Sequence, residues 1–316
     1  MLYVKTLEDG VELFKALGSD IRVNILCLLL KNKEMSMNEI ASSLNITNGA
    51  LTSHVKKLED VGLVRVSSDT TGHGNLKICT VKEERILIDM ASEEEKGNTS
   101  VYETEIPVGQ YIDYNVFPTC GIAMPEALIG AVDDPRYFAH PDRTKAGIIW
   151  LSKGYVEYLI PNLIPMSHRL DEIIISMELS SEAPGVNSNW PSDITFSIND
   201  VQVGEWTSPG DFGDIRGLFT PDWWFPNWNQ YGLLKMLVIN HNGTFIDGLK
   251  ISDVTIDQFK LGYRGAIRFR LEVKEEADHV GGMTLFGQGF GNYNQGIQVR
   301  IRHSQMENIV FLNQAI

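Results

Sequence analysis

The chain has 316 residues, of which 43% are hydrophobic and 22% are charged, and its formal net charge at pH 7 is −14. This composition predicts about two folded domains with ordinary apolar cores, and it excludes a largely disordered protein. The longest apolar run, residues 25–30, is too short to span a bilayer, and the three cysteines lie far apart. We therefore expect a soluble cytoplasmic protein without a disulfide framework or a zinc site.

Two helices are predicted at the start of the chain, over residues 6–17 and 19–30. Each stretch opens with a capping residue and then shows apolar residues at helical spacing. Cys27 falls within the second of these helices, and we expect it in the core. Much later in the chain, residues 85–90 fit either a strand or a helix.

A short helix is next predicted from a capping signal. Ser36 lies three residues before Glu39, the spacing at which a hydroxyl and a carboxylate cap a helix start reciprocally. The helix should therefore begin near Met37, and Asn45 should end it in a turn.

A second helix should follow, capped by Thr47 and ending at Gly62. Its apolar stripe consists of Leu51, Val55 and Leu58. Polar residues cover the other faces, and in a helix-turn-helix such a surface enters the major groove of DNA. The predicted DNA contacts of this helix are Thr47, Asn48, Gly49, Thr52, Ser53, His54, Lys56 and Lys57.

A hairpin is predicted directly after the second helix. Residues 63–66 and 76–78 have strand character, and the polar residues 69–75 between them form a turn. The hairpin stands where the wing of a winged helix-turn-helix would be. Arg65, His73 and Lys77 are its predicted DNA contacts.

Residues 16–26, 37–41 and 51–64 resemble the arsenic-repressor (ArsR/SmtB) type of bacterial regulator, and the resemblance covers about the first 80 to 90 residues. It implies a homodimeric repressor that binds a roughly palindromic double-stranded DNA operator. When an effector binds, the repressor releases the operator or changes its affinity for it. Metal-sensing members carry a Cys-x-Cys pair in the helix before the recognition helix. Residues 38–44 contain no Cys, so metal sensing is not expected.

The start of the chain holds more apolar residues than one small core needs, namely Leu2, Tyr3, Leu7, Val11 and Phe14. In the family that the chain resembles, the first helix helps to build the dimer interface. We therefore interpret these residues as a dimer surface, with ordinary core packing as the alternative.

The negative charge is unevenly distributed. Residues 1–96 carry 12 Lys/Arg and 15 Asp/Glu, a net charge of −3, and the remainder of the chain has −11. This asymmetry predicts that the second part of the chain faces away from the DNA. The polar, charged residues 93–100 have the composition of a linker, which places a DNA-binding and dimerisation domain at 1–96 and a second domain at 107–316.

The second domain is predicted to be rich in β-structure. Residues 267–273 and 297–302 alternate strictly between apolar and polar side chains, and residues 194–204 have the pattern of a hairpin. The predicted fold class is therefore α+β multidomain, with a winged helix-turn-helix followed by an antiparallel, jelly-roll-like β-sandwich.

Five of the six tryptophans fall between residues 190 and 228, alongside Asp and Asn in predicted loops that include both Trp190 and Trp206. Such side chains suit ligands with both C–H faces and hydroxyls, such as carbohydrates. The predicted ligand-binding residues are Trp190, Trp206, Asp211, Asp214, Trp223, Trp224, Trp228 and Asn229. Packing of the same aromatic residues in the core is an equal alternative.

The remaining motifs carry no catalytic signature. The Gly-rich residues 281–296 match no phosphate-binding loop, the histidines lack metal-ligand spacing, and no two carboxylates have a fixed separation. We expect no cofactor, no bound metal and no enzyme activity. The sequence predicts an ArsR-type DNA-binding regulator whose β-sandwich senses a small, carbohydrate-like effector. The alternatives are a structural or oligomerising sandwich and, with less support, a glycan-acting enzyme with a regulatory head.

Overall fold

The structure is a computed structural model. It describes residues 2–4, 6–69, 76–82, 86–88, 99–259 and 265–306. The chain divides into two compact units, Met1–Gly97 and Asn98–Ile316. Among the described residues, no helix is long and apolar enough to cross a membrane.

The N-terminal unit combines helices with short strands. Its helices are α1 Val11–Leu17, α2 Asp20–Asn32, α3 Met37–Leu44 and α4 Asn48–Asp60. Its strands are β1 Leu2–Val4, β2 Glu34–Ser36, β3 Val64–Asp69, β4 Leu76–Val81 and β5 Ile86–Ile88. Strands β2, β4 and β3 form an antiparallel sheet, whereas β1 pairs with β5 in parallel.

The local signals that define the helix-turn-helix are confirmed. The backbone N–H of Glu39 donates to Ser36 Oγ at 3.3 Å, and Glu39 Oε2 accepts from the Ser36 N–H at 2.7 Å. Asn45 ends α3 in the left-handed conformation, with φ 53°. Thr47 Oγ1 accepts from the Ala50 N–H at 3.3 Å and caps α4. The predicted stripe of α4, namely Leu51, Val55 and Leu58, is buried.

Three features of this unit differ from or refine the sequence prediction. The first helix begins at Val11 rather than residue 6, because the Asp9 N–H donates to Thr6 Oγ1 at 3.1 Å and closes a separate turn. Cys27 is exposed, on the side of α2 away from the buried Ile25. Residues 86–88 form a strand, which decides between the two alternatives for this segment. The predicted wing tip lies outside the described residues.

The second unit is built of antiparallel strands. They are β6 Thr99–Ile106, β7 Asp113–Met124, β8 Ala127–Leu128, β9 Ile148–Ile160, β10 His168–Ser180, β11 Ser192–Ile198, β12 Val201–Ser208, β13 Leu233–Asn240, β14 Gly243–Ile246, β15 Leu249–Ser252, β16 Ile267–Val273, β17 Met283–Phe286 and β18 Ile297–Gln305. Short 3-10 helices cover Pro135–Ala139, Pro141–Lys145 and Ile256–Gln258. Strand β6 lies ahead of residue 107, where the predicted sandwich starts.

The strand order divides this unit into two layers. One layer runs β8-β7-β9-β16-β11-β12, and the other runs β6-β18-β10-β13-β14-β15. Strand β17 pairs with both β9 and β10 and so joins the layers at one corner, which makes the sandwich nearly barrel-shaped. This architecture confirms the predicted α+β multidomain fold class with its antiparallel β-sandwich.

The core of the sandwich follows from the alternation of its strands. Along β16, Ile267, Phe269, Leu271 and Val273 are buried, and the residues between them are partly exposed. The Phe269 ring stacks on that of Phe196 from β11, with centroids 6.4 Å apart. Because alternate side chains of a strand point to opposite faces, each layer contributes one apolar face to the interior.

Candidate DNA-binding surface and ligand cavity

Seven of the eight predicted DNA contacts at α4 are exposed, and His54 is the exception. The exposed contacts recur at helical spacing on the side of α4 away from its buried stripe, and the last of them is Lys57. The exposed members are Thr47, Asn48, Gly49, Thr52, Ser53, Lys56 and Lys57. A face of short polar side chains followed by two Lys fits the approach to base edges and then to phosphate.

The first turn of α4 is fixed by side-chain hydrogen bonds. Asn48 Nδ2 donates to Asn38 Oδ1 of α3 at 2.9 Å, and Thr52 Oγ1 donates to the Asn48 carbonyl at 2.8 Å. The first contact holds the start of α4 to α3, the helix before it. Such preorganisation limits the entropy lost on binding.

His54 is only half-buried, but its Nδ1 is enclosed and has no hydrogen-bond partner among the described residues. Burial lowers the pKa of His54, and the charges of Arg22 and Lys57 lower it further. The imidazole is therefore neutral at pH 7 and adds no positive charge to the surface.

Arg22, which the sequence analysis did not single out, supports the helices behind this surface. Its buried guanidinium donates from Nε to the Ala16 carbonyl at 2.5 Å and from Nη2 to the Lys15 carbonyl at 2.7 Å. These carbonyls end α1 and have no partner within the helix. The sequence did hold a signal for this role, because Arg22 stands at a position of α2 where the helical spacing predicts an apolar residue.

The wing residues lie on facing strands. Arg65 on β3 is half-buried opposite Thr80, and Lys77 on β4 is exposed opposite Ser68. Because Lys77 is three residues from Thr80, it lies on the other face of the hairpin from Arg65. Arg65 and Lys77 therefore do not share a face. His73 lies outside the described residues.

A cavity of about 160 Å³ lies in the second unit. Its wall combines apolar, carboxylate and amide side chains from segments that are far apart in the sequence. It is lined by Thr119, Val132, Asp133, Trp150, Glu182, Ala183, Pro184, Gly185, Trp228 and Asn229. A concave site with aromatic walls and a few polar groups is the usual form of a small-molecule site.

Two indoles form the aromatic part of the wall. The ring centroids of Trp150 and Trp228 lie 6.1 Å apart, with 56° between their planes. Trp224, which is 1% exposed, packs edge-on against both of them. The cavity therefore borders a buried aromatic cluster that also contains Phe286 and Phe290, and this cluster limits movement of the indoles.

Glu182 is the most connected polar group in the cavity. Its Oε2 accepts from Asn229 Nδ2 at 2.8 Å and from Thr284 Oγ1 at 2.9 Å, while Oε1 lies 3.5 Å from Thr119 Oγ1. Burial raises the pKa of Glu182 well above its usual value, and the charge of Asp211 raises it further, against the lowering effect of the two threonine hydroxyls. The protonated form of Glu182 is thus favoured while no cation is near.

Asp211 is buried directly behind the lining residue Ala183. Its Oδ2 accepts from the Ala183 N–H at 3.0 Å, and its Oδ1 has no hydrogen-bond partner among the described residues. Burial raises the pKa of Asp211 to about 7. Asp211 is therefore not part of the cavity wall. It holds the backbone of the lining residue Ala183 and places an ionisable group behind the wall.

Glu178 connects two loops at this end of the sandwich. It is fully buried, and its carboxylate accepts from the backbone N–H groups of Gly232, Asn292 and Tyr293 at 2.8–3.0 Å. Gly291 passes so close that an added Cβ would lie 2.4 Å from Glu178 Oε2. The loop before Gly232 carries Trp228 and Asn229, so Glu178 helps to fix their position.

The structure brings together only part of the predicted ligand site. Trp228 and Asn229 line the cavity, and Trp224 and Asp211 lie directly behind the wall. Trp223 is partly buried, packs on the same aromatic cluster and donates from Nε1 to the Pro125 carbonyl at 2.6 Å. The cluster thus serves both cavity and core.

Three other predicted residues do not line the cavity. Trp190 is 36% exposed in a loop, and Asp214 accepts from the Tyr231 hydroxyl at 2.6 Å on the surface. Trp206 lies on strand β12 rather than in a predicted loop, with Lys235 Nζ 4.6 Å from its ring centroid.

Sequence reasoning missed the other half of the cavity, above all Trp150 on β9 and Glu182 just after β10. The available signal was weak. Glu182 is a charged residue directly after an apolar strand, and Trp150 is the one Trp outside the cluster at 190–228. Among the described residues, no group of three or more His, Cys, Asp or Glu is arranged to hold a metal ion.

Comparison with known proteins gives matches in the N-terminal unit. The family described as winged helix-turn-helix DNA-binding matches residues 19–65. The transcriptional activator HlyU of Vibrio cholerae is 37% identical over 65 residues, which are 21% of this chain and 59% of HlyU. An uncharacterized HTH-type transcriptional regulator of Methanocaldococcus jannaschii is 34% identical over 83 residues, 26% of this chain and 86% of that protein. The chain thus spans less than two thirds of HlyU and most of the second relative.

Solved structures give two further similarities. HlyU from Vibrio cholerae aligns with 24% of this chain and 76% of its own, at 31% identity and a TM-score of 0.21. Carbohydrate-Binding Module CBM36, in complex with calcium and xylotriose, aligns with 63% of this chain and 98% of its own, at 11% identity and a TM-score of 0.27. TM-scores of this size support no functional argument, so the relationship rests on the sequence matches.

Proposed function

We propose that this chain, which belongs to the winged helix-turn-helix transcriptional regulators through its N-terminal unit, binds operator DNA as an ArsR-type homodimer and changes its affinity when a small molecule enters the cavity of its second unit. The observation that carries the DNA-binding part is the exposed polar face of α4 opposite its buried stripe. The second unit is proposed to bind its ligand without chemical turnover. HlyU is named a transcriptional activator, so the proposed function includes activation as well as repression.

The geometry of α4 fits the major groove. In this motif the N-terminal residues of the second helix approach base edges, and Asn48 and Thr52 lie there. Lys56 and Lys57 follow one turn later, within reach of phosphate. Because residues 1–96 have no net positive charge, one copy makes few phosphate contacts, and two copies on a two-fold site double that number.

An operator-binding assay tests this surface. The operator fragment is first selected from genomic DNA by the wild-type chain. The double variant Thr52→Glu with Ser53→Glu should lose operator binding while its thermal unfolding stays unchanged, because two carboxylates would face the groove. Lys250→Glu, at an exposed residue of the second unit, adds the same charge change and serves as the control. Unchanged operator affinity in the double variant would exclude α4 as the recognition helix.

The sensing part rests on the cavity itself. Two indoles and a carboxylate held by an amide and two hydroxyls converge there, at the end of a rigid sandwich. A ring-shaped polar molecule, with carbohydrates as one class, could stack on Trp228 and hydrogen-bond to Glu182. For regulation, the ligand must bind the DNA-competent and DNA-incompetent states with different affinity.

Tryptophan fluorescence with a metabolite panel tests the cavity. Trp228→Ala should lose the response, and Trp190→Ala, at a Trp outside the cavity, should keep it. The same ligands are then added to the operator assay. The packing of Trp223 and Trp224 in the aromatic cluster favours a structural sandwich as second candidate, and the absence of any ligand response would support it. Product formation from a glycan panel would instead show an enzyme.

A further inference from the structure

The charge of the cavity indicates the class of its ligand. We propose that the cavity between Trp150 and Trp228 binds a small organic cation, a single-ring molecule that carries an ammonium group. This inference rests on the proposed sensing function and deepens it, because it names the charge and size of the effector.

The ionisable groups around the cavity are all acidic. Asp133 and Glu182 line it, Asp211 lies behind Ala183, and among the described residues no Lys, Arg or His forms part of the wall. The nearby Asp134 is already paired with Arg136 at 2.6 Å. Asp211 is buried, Glu182 is half-buried and Asp133 is exposed. A neutral ligand that displaced water would leave Glu182 and Asp211 either protonated or without a counter-charge. An ammonium group would supply that charge.

The aromatic wall favours the same class of ligand. Trp is the strongest cation–π partner among the side chains, and two indoles border this cavity at a centroid separation of 6.1 Å. The volume of about 160 Å³ suits one six-membered ring, since a cavity of about 150 Å³ binds benzene. Ring and charge can therefore be accommodated together.

Glu182 retains hydrogen-bonding capacity for such a ligand. Its carboxylate has up to about four acceptor positions, and the contacts from Thr119, Asn229 and Thr284 account for three. An ammonium group is donor-only, so every contact that it makes with Glu182, Asp133 or the indole faces is of the right sign. A hydroxyl brings no charge to the carboxylates.

Proton linkage distinguishes this proposal from a neutral-ligand site. In the empty cavity, the pKa of Glu182 is raised by burial and by Asp211, with Asp133 adding to it, and the pKa of Asp211 is about 7. A bound cation lowers these values, so binding releases protons to the solvent. The affinity for the cation should therefore rise with pH through neutrality.

Calorimetry with matched probes tests the proposal on the full chain. Cyclohexylamine is compared with cyclohexanol, and D-glucosamine with D-glucose, at pH 7 in buffers of different ionisation enthalpy. We expect each amine to bind about tenfold or more tightly than its hydroxyl partner, the size of a desolvated cation–π contact. The dependence of the binding enthalpy on the buffer should show proton release for the amines, whereas a hydroxyl partner that displaces water should release none and can only take protons up.

Two variants and one control keep the outcomes separate. Glu182→Gln should remove the amine preference, Trp228→Ala should weaken all probes, and Glu276→Gln at an exposed carboxylate should change neither. Equal affinity for amine and hydroxyl partners would overturn the cation proposal and leave the sensing function intact. Amine binding unaffected by both variants would also overturn it. If none of the four probes bound, the cation proposal would fall, and with no response to the metabolite panel either, the sensing function would fall too.

Discussion

At the scale of single residues, Glu178 connects two loops at the cavity end of the sandwich. Its buried carboxylate accepts from the backbone N–H groups of Gly232, Asn292 and Tyr293. Glu178→Gln would turn an amide NH₂ toward one of these donors. We expect the free energy of unfolding to fall by about 3 kcal/mol, since an unmade bond to a charged acceptor costs more than a neutral one. Urea denaturation measures this loss, and Glu276→Gln should stay within about 0.5 kcal/mol of wild type.

A second residue-scale prediction concerns the histidine pair at the other end of β10. Nδ1 of His168 and Nδ1 of His303 lie 2.7 Å apart, so one ring must donate and the other accept. Burial lowers the pKa of His303 and the neighbouring His168 lowers it further, while Asp171 opposes them. Below about pH 6.5 the unfolded chain therefore binds a proton that the folded chain resists.

Stability should consequently fall as the pH decreases from about 6.5 toward the lowered pKa of His303. Glu182 and Asp211, whose pKa values are raised, act in the opposite direction, so the comparison is between variants. His303→Gln should flatten the loss between pH 6.5 and 5 in chemical denaturation, whereas His140→Gln, at a 41% exposed side chain, should retain the wild-type slope. Parallel slopes in all three proteins would refute the assignment.

At the scale of elements, the start of α3 depends on a reciprocal cap. Ser36 Oγ accepts from the Glu39 N–H, and the Glu39 carboxylate accepts from both the N–H and the hydroxyl of Ser36. Ser36→Ala removes the hydroxyl, and we expect a loss of about 1 kcal/mol in the stability of the N-terminal unit. Ser43→Ala, on the exposed side of the same helix, should be neutral or slightly stabilising. Thermal unfolding followed by circular dichroism compares the two.

Elements whose signal is local could be predicted from the sequence. The capping box at Ser36, the left-handed Asn45 and the alternation along β16 depend on neighbours within a few residues. The start of α1 was misplaced because Thr6 caps a turn instead of a helix. Strand β1 was missed because its partner β5 lies more than 80 residues away, and no local pattern encodes such pairing.

The candidate site likewise combines residues that a local sequence pattern indicated with residues that only strand pairing brings together. Trp228 and Asn229 were identified because they lie in one aromatic-rich loop. Trp150 and Glu182 join them only through strand register, as β17 places Thr284 opposite Trp150 and beside Glu182. Composition could not separate Trp228, which lines the cavity, from Trp224, which fills the core behind it, because both residues have the same chemistry.

At the scale of the whole molecule, the proposed dimer rests on exposed apolar residues in the N-terminal unit. Leu7 is 40% exposed and Val11 is 43% exposed, whereas Leu2 and Phe14 are half-buried. The side chain of Tyr3 lies outside the described residues. Among the four predicted interface residues whose side chains the structure describes, Leu7 and Val11 are thus the most available to a partner. Leu13 and Ala16, on the other side of α1, are buried in the core of this unit.

Leu7→Glu combined with Val11→Glu should therefore make the full chain monomeric at concentrations at which wild type is a dimer. Four apolar side chains would leave the two-fold interface, each worth about 1.5 kcal/mol on burial, and the introduced carboxylates would face each other. Sedimentation equilibrium measures the association, and Leu249→Glu with Val280→Glu, at exposed residues of the second unit, is the matched control. The monomer should also lose most operator affinity, because a single copy contacts one half-site. A variant that still sedimented as a dimer would move the interface away from α1, whereas a monomer that bound the operator as tightly as wild type would show that one recognition helix suffices.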